Sequence, residues 1–173
     1  MDFLRDSRLP KAFQSEDEML TELYSQMLKV VRHKLWHKSD AVDVVQEAWV
    51  RILEKSATLR DKEKLVPWAK AIAYNLASNA NRARRHDANY DMLENELVSP
   101  TFVFEPEAMT ELSDLLGRLD PTTRTLLLYK FYYGLKDAEI AAALDLPVGT
   151  VKARIHRGKA RLRTQADDES GHT

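Results

Sequence analysis

Residues 136–163 read KDAEIAAALDLPVGTVKARIHRGKARLR. Two helical patterns meet here across a break at Asp145-Leu146-Pro147, a short one over 137–144 and a longer one over 148–163, which is the spacing of a helix-turn-helix. At 3.6 residues per turn, Val151, Ile155, Gly158 and Leu162 share one side and are expected to pack on Ile140 and Leu144. The opposite side carries Gly149, Lys152, Ala153, His156, Arg157 and Arg163. A helix lying in the DNA major groove needs this mixture, because basic arms must reach phosphates or guanine edges while small residues let the backbone come close. Gly149 and Thr150, at the helix start, are expected to offer free backbone N–H groups to a phosphate. An ordinary solvated charged face is the plainer reading, but six basic residues between 148 and 163 without one acid argue against it.

Upstream, an apolar helix runs through Leu126, Leu127, Tyr129 and Phe131 to Tyr133 and stops at Gly134, and Asp120-Pro121 separates it from a helical pattern over 107–119. Residues 87–106 mix Asn, Asp, Glu, Ser and Pro with isolated apolar side chains and read as a linker. Before it lie three amphipathic patterns. The first, over 19–37, repeats Leu20, Leu23, Tyr24, Met27, Val31 and Leu35 at three- and four-residue steps. The second follows Ser39 and Asp40, which have N-cap chemistry, and buries Ala41, Val45, Ala48, Trp49 and Ile52 before ending near Ser56. The third begins near Pro67 after the polar stretch 59–64, with a stripe of Leu65, Trp68, Ile72, Leu76 and Ala83. The expected fold is all-α: two small helical domains, 19–86 and 107–164, joined by a flexible linker at 87–106, with the helix-turn-helix in the second. An N-terminal extension, 1–18, and a disordered polar tail, 165–173, complete the chain.

Composition narrows the functional classes. With no cysteine, disulfides, thiolate metal sites and thiol redox chemistry are excluded, and a reducing, cytoplasmic setting is compatible. No run approaches the roughly 18 apolar residues of a membrane span, so stable membrane insertion is not expected. The net charge of -1 hides segregation, since residues 68–86 hold Lys70, Arg82, Arg84 and Arg85 without an acid, a second basic segment beside the one at 148–163. Two separated basic helices point to two contacts with a polyanion. No convergent nucleophile, acid–base pair or phosphate loop appears, so an enzyme is not expected, and neither a metal nor another cofactor is implied. His33 and His37 sit one helical turn apart, as metal-binding pairs do, but without a matched third ligand they read as surface histidines.

The motifs resemble a known family. Glu139-Ile140-Ala141 followed by Leu146-Pro147-Val148-Gly149-Thr150-Val151-Lys152-Ala153-Arg154-Ile155 is similar to the promoter-reading helix-turn-helix of extracytoplasmic-function (ECF) sigma factors. Asp43-Val44-Val45-Gln46-Glu47-Ala48-Trp49 resembles that family's polymerase-binding helix, and the segment from Trp68 through Ile72 to Asn75 its promoter-melting helix. The resemblance implies a transcription initiation subunit whose partners are core RNA polymerase, through its beta-prime and beta subunits, and promoter DNA, with an anti-sigma factor as a further partner the family admits. Asp43, Gln46, Glu47 and exposed Val50 are the implied polymerase contacts. Asn75, Tyr74, Arg82, Arg84 and Arg85 are the implied minus-ten contacts, and Gly149, Thr150, Lys152, Ala153, His156 and Arg157 the minus-thirty-five contacts.

Tyr74 points outward on the wheel and is the candidate for stacking on a base, whereas Trp49 and Trp68 lie on apolar stripes and are expected in the core. Lys136 stands where the family usually has a capping Ser or Thr, so Asp137 is expected to take over the cap. The rival class is a free-standing helix-turn-helix regulator acting without polymerase, which would explain the C-terminal half but not residues 43–49 or the basic helix at 68–85.

Overall fold

The computed structural model describes residues 9–87 and 116–171, and within them every regular element is helical. The expected linker and most of the expected 107–119 helix lie outside the described residues.

Helix α1 spans Glu16–Lys34. It starts three residues before its apolar repeat because Ser15 caps it, the hydroxyl accepting from the Glu18 N–H at 3.1 Å while the Glu18 carboxylate accepts from the Gln14 N–H at 2.7 Å. Glu16, Asp17 and Glu18 in the first turn and Arg32, His33 and Lys34 in the last complement the helix dipole. Helix α2, Ala41–Glu54, follows a 3-10 turn at Lys38–Asp40. Asp40 occupies the N-cap position without making a side-chain cap; its carboxylate is spent on Arg84. Helix α3, Leu65–Asp87, carries Pro67 in its first turn, where a missing N–H costs nothing. Met19, Leu23, Met27 and Val31 from α1, Val45, Ala48 and Ile52 from α2 and Trp68 and Ile72 from α3 close one core, while Trp49 is half-buried at its edge.

The C-terminal helices form around Leu126, Leu127, Tyr129, Ile140, Val151 and Ile155. Helix α4, Pro121–Leu127, is capped by the Asp120 carboxylate on the Thr123 N–H at 3.0 Å and passes into a π-helical turn, Leu128–Tyr132. Gly134, at φ 70°, then reverses the chain in a conformation that glycine adopts freely. Helices α5, Asp137–Leu144, and α6, Val148–Ser170, make the helix-turn-helix. Asp137 begins α5 rather than capping it. The cap is made from inside the helix, by buried Glu139 accepting from the Lys136 N–H at 3.1 Å. The packing of α6 also departs from expectation at Gly158, which lies against α4: a Cβ there would come 2.6 Å from Thr123 Cγ2 and 3.2 Å from Leu127 Cδ1. The frayed tail expected from residue 165 is corrected as far as Ser170, because no Gly or Pro interrupts the helix between Gly158 and Gly171.

α3 is the central element, packing against α1, α2 and α5. The outward placement of Tyr74 is corrected: the residue is 2% exposed, with the Lys34 ammonium 5.3 Å from its ring centroid. The ring lies near fully buried Tyr129 of the C-terminal helices, whose phenol is pushed well above its ordinary pKa by burial first and by Tyr74 and Tyr133 next. Trp68 donates its indole N–H to the Glu139 carbonyl at 3.0 Å in the same seam. At the seam's edge the Lys55 ammonium donates to the Ala142 carbonyl at 2.9 Å and pairs with Asp145 at 3.2 Å, and Arg51 reaches Asp145 at 3.8 Å. Asp145 holds the helix-turn-helix turn at φ 55°, the left-handed region that Asp tolerates better than most residues.

Candidate nucleic-acid and partner interfaces

Helix α6 turns Val151, Ile155 and Gly158 inward and leaves Gly149, Lys152, Ala153, His156 and Arg157 exposed, with Thr150 half-buried. The exposed side has a definite relief. Gly149, Ala153, His156 and Ala160 run along its crest, Lys152, Lys159 and Arg163 along one shoulder, and Arg154, Arg157 and Arg161 along the other. A crest of mostly small side chains between two basic rows admits a helix deep into a groove, where the rows can reach flanking phosphates or, nearest the crest, base edges. A Cβ on Gly149 would meet nothing within 4 Å, so the crest is open at the helix start. The Thr150 N–H is not free as expected: it donates to the Pro147 carbonyl at 3.0 Å.

Arg154 and Arg161, absent from the expected contacts, line a cleft of about 300 Å³ with Arg157, Gly158, Asp120 and Thr123. Burial works against the Asp120 carboxylate there, but hydrogen bonds from the Thr123 backbone and side chain and the Arg154 charge outweigh it, and the pKa falls below the ordinary value. The i, i+3, i+7 spacing of 154, 157 and 161 is legible in the sequence as one row.

On α2, Asp43, Gln46, Glu47 and Val50 are all exposed, Val50 by 51%. The same face holds Val42 and Leu53, each 46% exposed, which extend it into an apolar stripe with Gln46 and Val50. Neither is among the expected contacts, although their three- and four-residue steps from Gln46 and Val50 carry the signal. Exposed apolar side chains grouped on one helix face and edged by carboxylates are suited to a protein partner. Glu47 sits at the border, 3.8 Å from Arg51, which also reaches Asp145 of the turn.

On α3, Asn75 is half-buried and Tyr74 is covered, so the structure does not bring these two together as an open base-stacking surface. Arg82 is exposed and bonded to Asn79, Arg84 pairs with Asp40, and Arg85 lies over the Trp36 ring, 4.8 Å from its centroid. Among the described residues no group of three or more His, Cys, Asp or Glu side chains could hold a metal ion, and no helix is long and apolar enough to cross a membrane.

Among the described residues every regular element is helical, and a two-shouldered basic recognition helix places the protein with the DNA-binding proteins built on the helix-turn-helix. Comparison with known proteins gives the family. A family model described as Sigma-70 region 2 matches residues 19–87, and one described as Sigma-70, region 4 matches residues 109–162. Over 143 residues the chain is 30% identical to the ECF RNA polymerase sigma factor SigW of Bacillus subtilis (strain 168), covering 75% of this chain and 76% of that protein. It is 27% identical over 169 residues to the ECF RNA polymerase sigma factor SigE of Mycolicibacterium smegmatis (strain ATCC 700084 / mc(2)155), covering 94% of this chain and 65% of that one. The chain belongs to the ECF sigma factor family. It is also similar to the solved sigma factor RpoE in complex with the anti-sigma factor NepR from Bartonella quintana, at 18% identity and a TM-score of 0.44, covering 87% of this chain and 96% of that one.

Proposed function

We propose that this ECF sigma factor docks on core RNA polymerase through the outer face of α2, engages the minus-ten element with α3, and reads the minus-thirty-five duplex with α6. The observation that carries this reading is the apolar and acidic face of α2, Val42, Gln46, Val50 and Leu53 with Asp43 and Glu47, exposed on the same chain as a basic recognition helix. A free-standing regulator would leave that face without a purpose. Residues 19–86 and 107–164 act as the two domains of this mechanism, and the chain works in the cytoplasm as a binding subunit, not as an enzyme. An anti-sigma factor, the kind of partner named in the RpoE complex, is a further proposed partner.

This mechanism requires movement. Two elements centred about 25 base pairs apart on DNA rising 3.4 Å per pair lie about 85 Å from each other, whereas a packed chain of 173 residues has a radius of gyration of about 16 Å. The α3–α5 seam must therefore part when both elements are held. The proposed linker, residues 87–106, has a fully extended reach of about 68 Å, which together with the width of the two domains spans this distance. Size-exclusion chromatography with core polymerase, followed by run-off transcription, tests the proposal: co-elution and initiation at a defined start support it, and elution apart from the core overturns it.

A further inference from the structure

Trp36 belongs to none of the contacts assigned so far. It follows α1 directly and is 48% exposed, although its neighbour Leu35 is 3% exposed and anchors the turn. Exposed single aromatics are common and by themselves mean little. This one is held. Asn81, 6% exposed on α3, spends both halves of its amide on the segment: its carbonyl accepts from the Trp36 backbone N–H at 3.1 Å, and its NH₂ donates to the Lys34 backbone carbonyl at 2.9 Å. From the other side the Lys38 ammonium donates to the Leu35 carbonyl at 2.7 Å and to the Arg32 carbonyl. These bonds fix the backbone on both sides of Trp36, while the indole itself meets the Arg85 guanidinium, 4.8 Å from its centroid, and about half of the residue's surface stays in water.

The surroundings are basic. Residues 32–38 read RHKLWHK and residues 82–86 read RARRH, neither containing an acid, and the structure folds the two against each other through Asn81 and the Arg85–Trp36 stack. Of the acids at their edges, Asp40 is paired with Arg84, and Asp87 follows His86 at the end of α3. We propose that Trp36 is a nucleic-acid contact: a base of the promoter, at the end of the element engaged by α3, stacks on the indole while the arginines of α3 hold the adjoining phosphates. Charge selects a polyanion for this patch, and a half-open aromatic ring on an anchored backbone, backed by a guanidinium, is the platform on which single-stranded or unpaired bases stack regardless of their identity. The inference rests on the minus-ten reading of α3 and adds to it the residue that supplies stacking, the role expected of Tyr74, whose ring is covered.

The test uses holoenzyme made with full-length Trp36→Ala, Trp36→Tyr and Arg82→Ala/Arg84→Ala/Arg85→Ala chains, each checked for an unchanged circular dichroism melt. The probe is fork-junction DNA carrying a promoter mapped from the transcripts the wild-type holoenzyme makes. Trp36→Ala is expected to weaken fork binding about tenfold, as loss of one base–aromatic stack does, with the salt slope of log K unchanged; Trp36→Tyr is expected to stay within about threefold of wild type. The arginine variant is expected to lower the salt slope by two to three, roughly one per lost phosphate contact. If Trp36→Ala binds the fork as wild type does while the arginine variant is impaired, the inference fails and the minus-ten reading stands. If neither variant is impaired, the minus-ten reading of α3 fails with it. If Trp36→Ala loses core polymerase but the holoenzyme that does assemble binds the fork normally, the patch is a protein contact and the proposal is overturned.

Discussion

The indole N–H of Trp68 donates to the backbone carbonyl of Glu139 at 3.0 Å, a buried bond between residues 71 positions apart that ties the proposed promoter-melting helix to the first helix of the helix-turn-helix. On the proposed mechanism, this bond must break when both promoter elements are held. Because the chain has no cysteine, a dye pair on Lys29→Cys and Asp167→Cys reports the separation directly. The free chain is expected to give one short distance that lengthens when core polymerase and promoter are added. A free chain already as extended as the complex would contradict the closed form.

Glu47→Lys reverses charge on an exposed side chain whose partner in the chain is Arg51 at 3.8 Å. The fold cost should stay within about 0.5 kcal/mol, and co-elution with core polymerase should be lost. Leu53→Asp is expected to act in the same direction, because it places a charge in the apolar stripe. A normal complex from both variants would remove α2 as the docking face.

Gly158→Val should cost about 1–3 kcal/mol, since the added carbon must displace Thr123 and Leu127 in a packed seam. Gly158→Ala is milder, and adding Thr123→Ser, which deletes the methyl met at 2.6 Å, should recover most of the loss. Denaturant melts of the single and double variants measure that coupling. Simple additivity would place the strain elsewhere.

Much of the architecture is legible in the sequence itself. The positions of α2, α5 and the start of α6 follow from apolar spacing, Pro and the residues at the breaks, and the exposed sets on α2 and α6 follow from the same wheels. What escapes depends on a second layer of packing. A helical wheel assigns one buried face, and α3 is buried on more than one, so the wheel turns Tyr74 outward although Lys34 of α1 lies 5.3 Å from its ring centroid and Tyr129 lies close by. The Thr150 N–H looks free on the wheel because the Pro147 carbonyl that takes it lies only three residues back and is set by turn geometry. Trp36 gives no periodic signal, since its environment comes from Asn81 and Arg85 on a different helix. Val42 and Leu53 are readable in principle, but each looks like an isolated surface apolar residue until the exposed face of α2 is assembled around them.

Asp120 gives a pH signature. Its folded pKa lies below the ordinary value of 3.8, so its contribution to stability is present above that value and is lost as pH falls through the lower, folded value. Thermal melts of the chain between about pH 5 and pH 2 should show a stabilising increment that Asp120→Asn lacks. Parallel curves would show that the carboxylate does not act through its charge at the α4 cap.

The two shoulders of α6 should separate positioning from reading. Arg161→Ala, on the cleft row, is expected to weaken all sequences alike and to lower the salt slope by about one, whereas Arg157→Ala, nearer the crest, should cost about 1–3 kcal/mol and relax discrimination at one base of the minus-thirty-five element. Transcription from single-base promoter variants distinguishes these outcomes. Uniform loss with Arg157→Ala would make it a phosphate clamp.

The central claim is that promoter recognition by this chain depends on polymerase. Duplex and fork-junction promoter binding should therefore be measured for the chain alone, for core polymerase alone and for the two together at one salt concentration. Weak binding by either component, and tight, start-site-specific binding with transcription by the pair, is the result expected. Promoter binding by the chain alone as tight as that of the mixture, with no transcription gained on adding core enzyme, would contradict it.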